Sequence, residues 1–176
     1  MTRTTCGKTG TVPIFGKQGL SLFMLIACAV PAAAQNVVNE ATLSTDAALN
    51  IASAALAQCR QDGQKVTISV VDQAGREKVR VRDDGAAPHT ETHAFRKAYT
   101  ALTYKMPSAE YGKRLTELRG LGPVLLPNIT TAAGGVPIRQ GERVLGAIGI
   151  SGTPGSAGGG EHDAKCAEAG IQKVKF

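Results

Sequence analysis

The sequence predicts an α+β domain, an antiparallel sheet with helices packed on it. Two observations carry this. The periodic segments run in the order helix, hairpin, two helices, strand, hairpin, helix, and strands joined by tight turns pair antiparallel. Aromatic residues make up only 4% of the chain and Trp is absent, while glycine occurs 21 times. Helices and strands so poor in bulky side chains are expected to pack closely.

The domain does not begin at Met1. Residues 1–34 carry Arg3, Lys8 and Lys17 and no acid, then an apolar run of eleven residues, Leu20 to Val30, then Pro31 and Ala32-Ala33-Ala34. A basic segment, a short apolar stretch and an A-x-A site define a secretory signal peptide, cleaved near Ala34. The apolar run falls short of the roughly 20 residues of a membrane span, so no transmembrane anchor is expected. A competing reading takes Leu25-Ile26-Ala27-Cys28 as a lipid-attachment box. The expected organisation is thus a signal peptide over 1–34, a lead-in segment over 35–43 and one domain over 44–176, located in the periplasm or outside the cell.

The formal charge of +6 falls to about +3 without the signal segment. With no block of Lys or Arg, this gives no case for nucleic acid. A domain of this length buries roughly two-thirds of its surface and needs no staple. Two cysteines remain, Cys59 and Cys166. In an oxidising compartment such a pair predicts a disulfide; the alternative is two buried thiols.

Ser44-Thr45-Asp46 starts the first helix, with a capping hydroxyl followed by an acid near the positive end of the dipole. That helix runs to about Asp62 and stops at Gly63. Ala48, Ile51, Ala52, Ala55 and Cys59 form its apolar face, and Leu49 and Leu56 lie elsewhere. Val66–Val71 is a β-branched strand, and Asp72-Gln73-Ala74-Gly75 is a turn. The next strand alternates strongly. Arg76, Lys78, Arg80 and Arg82 fall on one face, against Glu77, Val79 and Val81 on the other. A basic strand face is either a solvated edge or a site for a carboxylate- or phosphate-bearing ligand.

Thr90 is expected to cap a helix from about Glu91 to Lys105, with Ala94, Ala98 and Ala101 on a slim face and His93, Lys97 and Tyr104 beside it. Pro107-Ser108 breaks it, and a polar helix follows over Ala109–Arg119. Asn128–Ala132 reads as a further strand. The stretch Ala133–Gly152 reads as a hairpin turning at Gln140-Gly141. Gly146 and Gly149 inside its second strand imply a close approach of backbone or ligand. A glycine-rich loop leads to a last helix, His162–Val174.

Three chemistries can be tested against these residues. His89 and His93 stand four apart, as H-x-E-x-H and not the H-E-x-x-H of metalloproteases. A zinc site there needs another ligand, from His162, Asp83, Asp84 or Glu161. Pro88 threatens the spacing by pushing His89 to the helix boundary. The loop Gly152–Gly160 lacks the lysine of a nucleotide-binding loop, and Glu161 and Asp163 place negative charge where an anion would sit. Ser151 lies outside a G-x-S-x-G elbow, so no hydrolytic constellation emerges.

Several segments together resemble one family, the GlcG/HbpS-like haem-binding proteins, related to the C-terminal domain of PduO. They are VTISVVDQAG (66–75), RDDGAAPHT (82–90), RKAYTAL (96–102), GGVPI (134–138), GERVLGAIGISG (141–152) and HDAKCAEAGI (162–171). The secreted Gram-negative branch is the most similar, including paired cysteines at positions like 59 and 166. The resemblance implies a profilin-like α/β/α sandwich with a five-stranded antiparallel sheet, assembled into oligomers. It carries over to Arg82, Asp84, His89, Thr90, Lys97 and Thr100. The loop TPGSAGGG is longer than the common family form.

The expected function is haem or tetrapyrrole binding by a homo-oligomer. Candidate iron ligands are His89, His93, His162, Met106, Tyr99, Tyr104 and Tyr111. His89 and His93 are favoured because they follow the strand end carrying Arg80 and Arg82, which can pair with propionates; Thr90 and Lys97 complete the expected site. Two rivals stand beside this reading. One is an enzyme acting on haem or a small organic acid. The other is a non-catalytic accessory of an envelope sensor or transporter.

Overall fold

The structure is a computed structural model and describes residues 38–118, 125–154 and 160–176. The expected signal peptide and the Cys28 box lie outside the described residues. So do most of the Gly120–Pro127 linker and the centre of the glycine-rich loop. Four helices and four strands occupy the rest in the order α1 (Thr45–Gln61), β1 (Thr67–Asp72), β2 (Glu77–Arg82), α2 (Thr90–Tyr104), α3 (Ser108–Leu118), β3 (Gly135–Gln140), β4 (Arg143–Ser151) and α4 (Glu161–Gln172). The strands form one antiparallel sheet in the order β2-β1-β4-β3.

Period-two alternation splits each strand between two layers. Ile68 and Val70 of β1 and Ile148 and Ile150 of β4 face α1 and α4, in a core with Ala48, Ile51, Ala52 and Ala55. Val71 and Ala147 face the opposite way, onto Ala98 and Ala101 of α2. The result is the α/β/α layering that the resemblance implies. Its two cores differ in composition, since the α2 side is built from small residues.

The helix α1 follows the sequence reading closely. Ser44 is its cap, with the Ser44 hydroxyl accepting from the Ala47 N–H at 3.1 Å. Its five predicted face residues are its buried residues. Leu56 packs partly against the core, and Leu49 is exposed. Cys59 and Cys166, both fully buried, form a disulfide between α1 and α4, with Cα atoms 5.6 Å apart.

Among the described residues the sheet has four strands, not the five implied by the resemblance. The expected strand at Asn128–Ala132 does not form, because its backbone groups bond to side chains. The Thr130 N–H donates to the Thr100 hydroxyl at 2.9 Å, the Ser108 hydroxyl donates to the Ala132 carbonyl at 2.7 Å, and the Arg96 guanidinium donates to the Ile129 carbonyl. Helices α2 and α3 thus satisfy donors and acceptors that a neighbouring strand would otherwise take.

The basic face of β2 is also interrupted. A register shift pairs Val70 with Val79 but Val71 with Glu77. Lys78 is the extra residue of this bulge, and Glu77 moves onto the face of Arg80 and Arg82. There its carboxylate accepts from Arg80 Nε at 2.9 Å and from the Ser69 hydroxyl at 2.6 Å.

The two glycines singled out in β4 mark close approaches. A Cβ on Gly149 would collide with the Ala94 carbonyl and the Ala98 N–H of α2, and one on Gly146 with the Val71 carbonyl. Backbone, not ligand, fills the space beside them.

Candidate functional site

The first turns of α2 build the site. Thr90 is not the cap, contrary to expectation. His89 occupies that position with helical dihedrals, φ −64° and ψ −20°, and makes no side-chain capping bond. Thr90 turns into the core, fully buried. Its hydroxyl donates to the Ala87 carbonyl at 2.6 Å and lies 2.7 Å from the Thr67 hydroxyl. The His93 N–H reaches the His89 carbonyl at 3.2 Å, so the helical repeat begins at His89 despite Pro88. The four-residue spacing therefore holds, and His89, His93 and Lys97 form one stripe along α2.

That stripe lines a cleft of about 290 Å³ whose other wall is Ser151 to Pro154 and Asp163. Its base is a fully buried ion pair. Lys97 Nζ lies 2.7 Å from Asp163 Oδ2 and donates to the Ile150 carbonyl at 2.9 Å. The other Asp163 oxygen accepts from the Thr153 N–H at 3.1 Å. Burial pulls the Lys97 ammonium below the usual lysine range, and the Asp163 charge opposes that pull. The pair joins α2, β4 and α4 at the place where the cleft opens. Asp163, expected to repel an anion from the start of α4, instead turns inward onto Lys97.

His93 sits half-buried above this pair. Its Nδ1 is 3.3 Å from the Ser151 hydroxyl and its Nε2 is 3.5 Å from the Thr130 hydroxyl. Burial, then the positive charges of Lys97 and Arg96, push its pKa down from 6.5 to about 4. The imidazole is therefore neutral at physiological pH, with one nitrogen free to act as a Lewis base. His89 is exposed at the mouth of the cleft. Ser151 meets His93 rather than His89, and among the described residues no carboxylate bonds that ring. The Ser-His-Asp arrangement is thus not assembled.

The remaining candidates are distributed elsewhere. Arg82 bonds to Glu91 at 2.9 Å and to the Ala86 carbonyl at 2.7 Å, in the loop that leads to His89. Arg80 pairs with Glu77 at 2.9 Å and lies 3.9 Å from Glu91. Neither arginine lines the cleft. Asp83 is buried beside Arg60, 2.6 Å away, and Asp84 contributes its backbone N–H to the Asp83 carboxylate. Thr100 holds the Ile129–Ala132 segment. His162 pairs with Asp62 at 2.9 Å. Tyr104 and Tyr111 stack on each other, their centroids 3.8 Å apart, and Tyr99 packs near Phe95. Neither these tyrosines nor Met106 line the histidine cleft.

Sequence reading did not find Thr130 or Asp163 as parts of this site. Asp163 stands where first-turn acids commonly serve the helix dipole. Its burial against Lys97, 66 residues earlier, has no local signal.

An α/β/α sandwich with a polar, histidine-bearing cleft between its small-residue helix and the end of a central strand defines the class. The sequence pattern of the family described as "Haem degrading protein HbpS-like" matches residues 43–172, and the chain belongs to that family. A double mutant of Streptomyces reticuli HbpS is 32% identical, with a TM-score of 0.74, over 85% of this chain and 99% of that one. Klebsiella pneumoniae protein ORFY is 25% identical, with a TM-score of 0.70, over 78% and 93% of the two chains. A PduOC:haem complex is 29% identical, with a TM-score of 0.67, over 76% and 95%. No curated protein matches the chain. Among the described residues no helix is long and apolar enough to cross a membrane.

Proposed function

We propose that this protein binds haem at the cleft between α2 and the end of β4, with His93 as iron ligand and His89 at its mouth. The observation that carries the reading is the state of His93. A half-buried imidazole, neutral and held among the described residues by two long contacts, can turn a nitrogen to a metal without breaking a strong bond. Family membership and the PduOC:haem complex support the same ligand.

Bound haem would supply a redox-active iron and a strong visible absorbance. The chain's own residues do the rest. Ser151 orients the His93 ring, the Lys97–Asp163 pair fixes the base of the cleft, and Gly152 to Pro154 present a surface with little side-chain bulk. Arg82 and Arg80, now paired with Glu91 and Glu77, would be the cations available to haem carboxylates. A cleft of about 290 Å³ is at the lower edge of ligand pockets, which span roughly 300–1,000 Å³. A cleft of that size would need further walls to enclose a tetrapyrrole, which a second copy of the chain in a homo-oligomer would supply. The leading segment, basic, apolar and then A-x-A, favours a periplasmic or secreted location.

Hemin titration followed by absorbance tests the reading, with mass measured on a sizing column before and after addition. A shifted Soret band that is lost in the His93→Ala variant is expected, and His89→Ala is expected to weaken binding less. No Soret shift, or an unchanged spectrum in the double variant, overturns it. Progressive Soret loss at catalytic protein levels would mark the enzyme reading. Capture of an envelope protein without ligand would mark the accessory reading.

A further inference from the structure

The cysteine pair has polar company that the haem cleft does not use. Cys59 and Asp62 are three apart at the end of α1, and His162 and Cys166 are four apart in the first turns of α4. Each spacing places its two residues on one helical face, and the two helices pack together through the disulfide. His162 Nε2 lies 2.9 Å from Asp62 Oδ2. The ligand-capable atoms of Asp62, His162 and Cys166 all lie within 4.8 Å of one another, and the Cys59 sulfur is bonded to one of them, the Cys166 sulfur. The cluster shares no residue with the His93 cleft.

While the disulfide is intact the sulfurs are poor ligands. We infer that reduction of Cys59–Cys166 turns this cluster into a four-coordinate zinc site made of two thiolates, the His162 imidazole and the Asp62 carboxylate. The composition of the ligand set supports zinc. Structural zinc sites take four ligands from Cys, His and carboxylate, with metal–ligand distances of roughly 2.0–2.3 Å. Thiolate and imidazole donors select zinc over hard cations such as magnesium or calcium. The helix ends already hold three of the four groups within 4.8 Å of one another, and the fourth is covalently attached to one of them, so binding needs a local rearrangement of side chains and not a refolding. Asp62 and His162 are partly exposed, 29% and 43%, and give the ion a route from solvent.

The chemistry balances with a thiol reductant. Two reductant thiols transfer two electrons and two protons to the disulfide, giving two cysteine thiols and one oxidised reductant disulfide. Zinc then displaces both thiol protons. Thiol–disulfide exchange with an oxidised, disulfide form of the same reductant takes the two electrons back, re-forms Cys59–Cys166, returns two reductant thiols and releases the ion.

The test compares the full domain, oxidised and reduced by a non-chelating phosphine, in cobalt(II) and zinc(II) titrations. The reduced protein is expected to take up one ion per chain, with tetrahedral cobalt bands and sulfur-to-cobalt charge transfer. The oxidised protein is expected to show neither. His162→Ala and Asp62→Asn should each weaken uptake at least tenfold, and both variants should keep the hemin response of the parent chain. Equal uptake in the two redox states, or cobalt bands unaffected by His162→Ala, overturns the proposal. If reduction unfolds the chain, helical circular dichroism after zinc addition decides: recovery supports the site and no recovery overturns it.

Discussion

At the scale of single residues, the site combines two groups that burial treats differently. Lys97 keeps its charge in the interior only with Asp163 beside it. Lys97→Met would leave that carboxylate unpaired and the Ile150 carbonyl without its donor. Breaking one side of a buried pair costs about 3–5 kcal/mol, and urea unfolding should show a loss of that order. Lys97→Met with Asp163→Leu should recover most of it, since the two charges then leave together. His93 responds to pH in the opposite sense to a salt-bridged histidine. Its folded pKa of about 4 lies below the ordinary 6.5, so the unfolded chain binds the proton more readily. The stabilisation from its neutral ring is complete above about pH 6.5 and is lost as pH falls towards 4. Ligand-free protein should therefore melt at lower temperature across that interval, and His93→Asn should flatten the slope. A further loss of stability is expected at still lower pH, from another source. Asp83, held below the usual carboxylate range chiefly by its bond from Arg60, loses that support once protonated.

At the scale of elements, the contact that matters is α2 against β4. A methyl group on Gly149 would meet the Ala94 carbonyl and the Ala98 N–H, so α2 would have to lift. Overpacking of this kind costs about 1–3 kcal/mol. Because α2 carries His93, Gly149→Ala should disturb the hemin spectrum as well as lower the melting temperature. Local chemistry made α1 legible to its cap, since Ser44, Asp46 and the 3.6-residue apolar repeat all lie within the helix or at its start. At β2 strict alternation predicts a basic face, and the structure departs from it. A bulge at Lys78 depends on how β1 pairs, and that pairing brought Glu77 among the arginines. The strand expected at Asn128–Ala132 is a second departure, because its backbone partners are side chains of α2 and α3 about 24 to 33 residues away.

At the scale of the molecule, the Cys59–Cys166 bond closes a span of 107 residues, from the end of α1 to the middle of α4. Removing it as the double alanine variant should cost about 4–5 kcal/mol if chain entropy dominates. Differential scanning calorimetry without reductant checks this. The sequence by itself determined the α+β class, the order of elements apart from the strand expected at Asn128–Ala132, the face of α1 and the pairing of the two cysteines. Each follows from short-range periodicity, turn chemistry or simple count. The tertiary structure alone decided that Lys97 serves Asp163 and that Arg80 and Arg82 are met by acids. It also decided that His93 stands between Ser151 and Thr130, and that His162 joins Asp62 beside the disulfide. Those partners are 66, 58 and 100 residues apart for Lys97–Asp163, His93–Ser151 and Asp62–His162. No local pattern encodes such pairs; they are fixed only when the sheet orders its strands and the helices settle on its two faces.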